Sequence, residues 1–112
     1  MKRKERLTRP EQYALVYDTG RTLADRFLVL KWMPNQLEYS RYGISINKRV
    51  GNAVVRNRIK RILREILRLS QLSPGSDFIF IVRGPAAASN YRQLENSITG
   101  LLSRARIVVE RQ

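Results

Sequence analysis

Cysteine and histidine are both absent from this chain of 112 residues. No disulfide, thiolate nucleophile or thiolate metal site can form, and the commonest general base and zinc ligand is missing as well. Acids are scarce, nine in all, and scattered at Glu5, Glu11, Asp18, Asp25, Glu38, Glu65, Asp77, Glu95 and Glu110. No local carboxylate cluster suggests a magnesium-dependent nuclease site, although acids distant in sequence can still converge in a fold. The Met-Lys-Arg-Lys-Glu-Arg start has no apolar stretch of the signal-peptide kind, and no apolar run approaches the roughly 18 residues of a membrane span. These absences lead to the expectation of a cytoplasmic protein with no membrane partner, no catalytic residues, no metal ligands and no protein-bound cofactor of its own.

What the chain has in excess is positive charge. Against the nine acids stand 22 Lys plus Arg, a formal net charge of +13. So large a surplus repels itself in a compact state and makes best sense if a polyanion supplies the missing negative charge, with nucleic acid the leading partner. Disorder is the alternative for such a charge. However, 43% hydrophobic residues, including Trp32, three Phe and five Tyr, provide material for a core. The length suits one domain, residues 1–112.

Met1 to Arg6 read as a short basic arm. Thr8, Pro10 and Glu11 then suggest a helix cap, a first-turn proline and a capping-box acid, and Gly20 closes that helix. From about Asp25 to Met33, Leu28, Leu30 and Trp32 alternate with Phe27, Val29 and Lys31, the period of a strand with one apolar face. Pro34-Asn35-Gln36 turns the chain. A second strand from about Glu38 to Asn47 puts Tyr42, Ile44 and Ile46 on one side, and Gly43, Ser45 and Asn47 on the other. Between Asn52 and Leu69 the period changes, because Val55, Ile59, Ile62, Leu63, Ile66 and Leu69 recur at three- and four-residue steps, a long amphipathic helix. Phe78 to Val82 is a continuous apolar run of strand length, predicted to be central in the sheet. Past Gly84-Pro85, Tyr91, Leu94, Ile98, Leu101, Leu102 and Ala105 outline a closing helix capped by Ser89 or Asn90. The order is α-β-β-α-β-α, an α+β or α/β sandwich of sheet and helices.

The densest chemistry lies between Lys48 and Arg68, where Lys48, Arg49, Arg56, Arg58, Lys60, Arg61, Arg64 and Arg68 meet one acid, Glu65. At about 100° per residue, Asn57, Lys60, Arg61, Arg64 and Arg68 project opposite the apolar stripe, with Arg56 and Arg58 flanking it. A solvated helix face usually mixes both signs, and a ridge of one sign costs stability unless an anion docks on it. Arginine forks grip phosphate oxygens in a bidentate way that an ammonium cannot. Gly51-Asn52-Ala53 adds free amides at the positive end of the helix dipole, and Asn52 also reads as an ordinary cap. Tyr13 and Tyr17, four apart, share a helix face. As a pair they suit either a core or a stacking platform. If Leu28, Leu30, Trp32, Ile44 and Ile46 face the basic helix, then Phe27, Val29, Lys31, Ser45 and Asn47 line the other sheet face. A first helix bordering that face would make a cleft suited to unpaired nucleotides, with Lys48 and Arg49 at its end.

The stretch from Gly43 to Glu65, with Arg56-Asn57-Arg58 followed by Lys60-Arg61 and Arg64 at its core, resembles the signature of the bacterial ribonuclease P protein subunit. The resemblance extends from Arg6-Leu7 to the final helix. It implies that a partner RNA performs the hydrolysis, removing the 5′ leader of precursor transfer RNA with magnesium bound mainly by that RNA, while the protein assists. It further implies that Arg56, Asn57, Arg58, Lys60, Arg61 and Arg64 face the catalytic RNA, with Arg49 and Arg68 counted among the RNA-binding cations. By position, Tyr13, Tyr17, Val29, Lys31, Ser45, Asn47 and Lys48 then meet the leader. Lys31 stands where the family commonly has an aromatic, which makes it a candidate phosphate contact. The family fold also carries an uncommon left-handed crossover around the basic helix, where the general rule expects a right-handed one. A non-enzymatic RNA-binding module, such as a ribosomal protein, is the competing reading, and a self-sufficient protein nuclease is a third.

Overall fold

The computed structural model describes residues 5–107 and 109–111. The first four residues of the expected basic arm therefore lie outside the described residues. Helix α1 (Pro10–Thr19) is followed by strands β1 (Arg21–Ala24), β2 (Leu28–Pro34) and β3 (Arg41–Ile46), then helix α2 (Ala53–Leu69), and strands β4 (Ser70–Leu72) and β5 (Ser76–Val82). Helix α3 (Tyr91–Arg104) and strand β6 (Val109–Arg111) complete the α+β fold, and short 3-10 turns occupy Lys48–Val50 and Gly84–Ala88.

The main sheet has the order β1-β2-β5-β3, so β5 is central as its unbroken apolar run requires. β2 pairs with β5 antiparallel and β3 pairs with it parallel, which makes α2 and β4 the crossover between β3 and β5. On one face Leu28, Leu30, Phe78 and Phe80 are fully buried, the two Phe rings edge to face at 5.8 Å. Against that face α2 seats Ile59, Leu63 and Ile66, and α3 seats Leu94, Ile98, Leu101 and Leu102. Each fully buried side chain of this kind contributes about 1.5–3 kcal/mol. The opposite face carries a smaller cluster in which Val16 of α1 and Leu7 cover Ile79.

Several local expectations are corrected. The first helix begins one residue later than predicted, with Arg9 as its cap, and the side-chain carbonyl of Gln12, not Glu11, accepts the Thr8 and Arg9 amides at 2.9 and 3.0 Å. Asp25 and Phe27 belong to a hairpin tip and not to a strand, because the Asp25 carboxylate takes the Phe27 and Leu28 amides, each at 2.9 Å. Leu69 ends α2 with 43% exposure, and Leu67 fills the buried position instead. Strands β1, β4 and β6 have no counterpart in the predicted order. Gly20 is required by close approach: a Cβ there would stand 2.5 Å from the Val16 carbonyl and 3.0 Å from that of Trp32.

At the start of β5, Asp77 is 4% exposed and held by Arg41 through Nε at 2.9 Å and Nη2 at 2.6 Å, with Asn35 Nδ2 at 2.8 Å. The fork ties β3 to β5 at the end where their parallel pairing begins. Close by, Tyr42 stacks on Phe78 at 6.0 Å, and burial pushes its hydroxyl up to about 12. A free phenol ionises near pH 10, so the unfolded chain loses this proton first. The associated stability is complete below about pH 10 and is lost as pH rises through the folded value. Tyr42→Phe is expected to flatten the alkaline loss of stability between these limits in denaturant titrations, and identical pH profiles for variant and wild type would contradict it.

Candidate nucleic-acid interface

Two caps place the basic segment. Asn47 Oδ1 accepts the Arg49 amide at 2.8 Å, fixing the turn that displays Lys48 and Arg49, and Asn52 Oδ1 accepts the Val55 amide at 3.0 Å, starting α2 as predicted. With the apolar stripe of α2 seated on the sheet, Asn57, Arg61, Arg64 and Arg68 are exposed, and Arg56 and Lys60 are half-buried along the flanks. The ridge is thus largely as the periodicity indicated, with three differences, the first being Lys60 on a flank and not opposite the apolar stripe. Arg68 pairs with Glu65 at 2.8 Å, an exposed pair of little energetic weight. Arg58 turns away from the ridge, and its guanidinium donates to the carbonyls of Ala87 at 3.2 Å and Ser89 at 3.3 Å. It clamps the Gly84–Ala88 turn and the start of α3 to the start of α2.

The opposite sheet face is ordered by register. Val29, Ile81 and Ser45 form one row across β2, β5 and β3, and Lys31, Ile79 and Gly43 form the next. Helix α1 lies across β2 and β5 on this side, so the structure brings the predicted first helix, Val29, Lys31 and Ser45 together, with exposed Asn47 and Lys48 where β3 ends. The two tyrosines differ in exposure. Tyr13 is half-buried over Gly43, where a Cβ would stand 2.5 Å from its hydroxyl. That hydroxyl donates to the Leu7 carbonyl at 3.4 Å and is hydrogen-bonded to the Ile44 backbone; burial, then the neighbouring Tyr17, raises its pKa. Tyr17, one turn on, is 36% exposed and offers a ring to solvent.

Arg6 is a functional candidate that reasoning from the sequence assigned only to the basic arm. Its backbone forms a parallel bridge to Tyr42, and the next amide, that of Leu7, donates to the Tyr42 carbonyl at 2.8 Å, which fixes Arg6 on the free edge of β3. A cleft of about 290 Å³ opens there between Arg6, Thr8, Tyr13 and Gly43 on one side and Arg64 of the ridge on the other. Both guanidinium charges act on the Tyr13 and Tyr42 hydroxyls. The available signal was Leu7, a lone apolar residue inside a basic segment. Among the described residues no group of three or more His, Cys, Asp or Glu side chains is placed to hold a metal.

A cationic helix ridge, a row-ordered sheet face with one exposed ring and an arginine-flanked cleft between them define a nucleic-acid-binding protein of the α+β class. The family model of Ribonuclease P matches residues 1–106, and the chain belongs to that family. It is 39% identical to the ribonuclease P protein component of Caldanaerobacter subterraneus over 96% of this chain and 94% of the relative. With the Roseiflexus castenholzii protein component it shares 47% identity, over 96% and 91%. The solved RNase P protein of Staphylococcus aureus superposes with a TM-score of 0.85 at 33% identity, covering 92% of this chain and 96% of that one. That of Thermotoga maritima gives 0.82 at 28% identity, over 89% and 96%.

The clamp generates a prediction. Arg58→Ala removes two charge-assisted hydrogen bonds and is expected to cost about 1.5–3 kcal/mol of stability, while Arg61→Ala, at an exposed side chain with no ion pair to another described residue, changes stability by less than about 0.5 kcal/mol. Equal melting temperatures for the two variants would contradict the assignment.

Proposed function

We propose that the chain, residues 1–112 acting as one RNA-binding domain, is the protein subunit of ribonuclease P, an endoribonuclease that matures transfer RNA in the cytoplasm. The partner RNA carries out the hydrolysis and holds the magnesium ions. The protein binds that RNA and the 5′ leader of the precursor. The observation that carries this reading is the ridge of α2, where Asn57, Arg61 and Arg64 face solvent with the family signature and with Glu65 as the segment's one acid. Its cations suit a folded RNA because they sit at fixed helical spacing and draw affinity from counterion release. The sheet face suits a single strand: Tyr17 supplies a stacking ring, Lys31 and Lys48 supply charge, and Val29, Ser45 and Asn47 line the path. Tyr13 acts chiefly by holding α1 and the Arg6 segment on β3.

A reconstitution tests the proposal. Precursor transfer RNA with magnesium should be matured at its 5′ end when both the protein and the RNA subunit are present. Robust cleavage by the protein alone would overturn the assignment of the chemistry to RNA. A ribosomal-type module would bind RNA yet leave the ribozyme's processing unchanged.

Two variants probe the surfaces separately. Replacing Arg61 and Arg64 together by Ala should weaken binding to the RNA subunit and reduce the slope of log affinity against log salt by about one unit per lost phosphate contact. An unchanged slope with native circular dichroism would contradict the ridge assignment. For the cleft, Tyr17→Ala should cost about 1–3 kcal/mol of leader-dependent binding by the holoenzyme, spare binding of mature transfer RNA and leave the melting temperature nearly unchanged. Early melting with intact leader discrimination would place Tyr17 in the fold and not in the cleft.

A further inference from the structure

The tip of the β1–β2 hairpin is held far more firmly than a surface turn needs. Besides accepting the Phe27 and Leu28 amides, the Asp25 carboxylate takes the Ser97 hydroxyl of α3. The Asp25 carbonyl receives Arg83 Nη1 at 2.6 Å, and the Phe27 carbonyl receives the Arg83 amide at 2.9 Å. The Asp25 carboxylate is therefore occupied by hydrogen bonds, and the tip is locked to both α3 and the end of β5. What this rigid tip displays is Arg26, whose guanidinium carbon lies 5.5 Å from the centroid of the half-buried Phe27 ring.

Beside that pair opens a groove of about 290 Å³, walled on its other side by Gln93 and Asn96 of α3. Asn96 is exposed. The Gln93 carbonyl accepts the Asn90 amide at 3.0 Å, which leaves its amino group to donate elsewhere. An aromatic ring topped by a guanidinium, facing two carboxamides, is a set of groups that recognises an unpaired base. The flat groups stack on its face, and the carboxamides pair with its edge. An acidic peptide would use the arginines but neither carboxamide nor ring, and the net charge of +13 favours a polyanionic strand.

We propose that this groove is a further nucleotide site, separate from the α2 ridge and from the α1 side of the sheet, that takes one unpaired base of an RNA strand. The site itself follows from the groove's own groups, and only the identity of the strand rests on the ribonuclease P reading. The test is a titration of the full chain, with the side-chain amide resonances of Asn96 and Gln93 and the Arg26 Nε proton followed by NMR. The probes are AMP, GMP, CMP and UMP, and inorganic phosphate at matched ionic strength. Saturable shifts of these resonances with at least one nucleotide and not with phosphate are expected, as is about a tenfold loss of that affinity in Asn96→Ala. Equal shifts with phosphate, or none at concentrations that perturb the α2 ridge, would overturn the site. In the reconstituted complex, Arg26→Ala and Asn96→Ala should each weaken precursor binding, and unchanged binding would assign the strand elsewhere and overturn the site's role in the complex. If the wild-type protein failed to bind the RNA subunit while the nucleotide titration succeeded, the ribonuclease P reading would fall and the site would stand.

Discussion

The cationic ridge, and the surfaces that border it, depend on how α2 is seated. Ile59, Leu63 and Ile66 are fully withdrawn from water beneath the sheet face that carries Phe78 and Phe80, and at about 1.5–3 kcal/mol each they fix the rotation of the helix about its axis. Like charges three or four residues apart oppose helix formation by only about 0.2–0.5 kcal/mol per pair. The core term wins, so the arginines are held close together in the absence of any partner. Phosphates docked on the ridge would relieve their mutual repulsion, which would link the packing of one helix face to the affinity of the other.

The same sheet supports a second surface because its two faces are covered unequally. On the α2 side two helices bury the face almost completely. On the other, α1 alone crosses it, and Gly43 lets Tyr13 sit against β3 so closely that no larger residue fits beneath the ring. Helix α1 covers Ile79 and leaves the row of Val29, Ile81 and Ser45 half-buried. Arg6 on the edge of β3 and Arg64 on α2 flank the cleft between these surfaces, which makes a charged path from the ridge toward the α1 face.

Long periodic segments were readable from the sequence: α2 with its Asn52 cap, α3 with a cap at Ser89 or Asn90, of which Asn90 takes the role, and the central β5 all follow from apolar spacing and cap chemistry. Strands of three or four residues, such as β1 and β4, are too short to show a period, and they form because a neighbouring strand presents a free edge. The Arg9 cap was hidden because arginine is not a usual cap residue, and the start is held instead by Gln12, whose side-chain carbonyl takes the Thr8 and Arg9 amides while its own amide donates to the Arg9 carbonyl at 3.0 Å. Helical projection correctly put Arg58 on the flank of the ridge, yet its partners Ala87 and Ser89 lie 29 and 31 residues away, and no local pattern reveals that it clamps a turn. Arg6 escaped notice for the same reason, since only pairing with Tyr42 gives it a fixed place.

Because the chain has no cysteine, a single introduced thiol can report whether RNA lies on both sides of the sheet. A single thiol can be introduced at Arg61 or at Tyr17, each exposed, and loaded with an iron chelate that cleaves nearby RNA in the assembled complex with precursor. Strand scission is expected in the RNA subunit from position 61 and in the precursor's leader from position 17. Scission of the same RNA segment from both positions, or of the leader from position 61 alone, would contradict it.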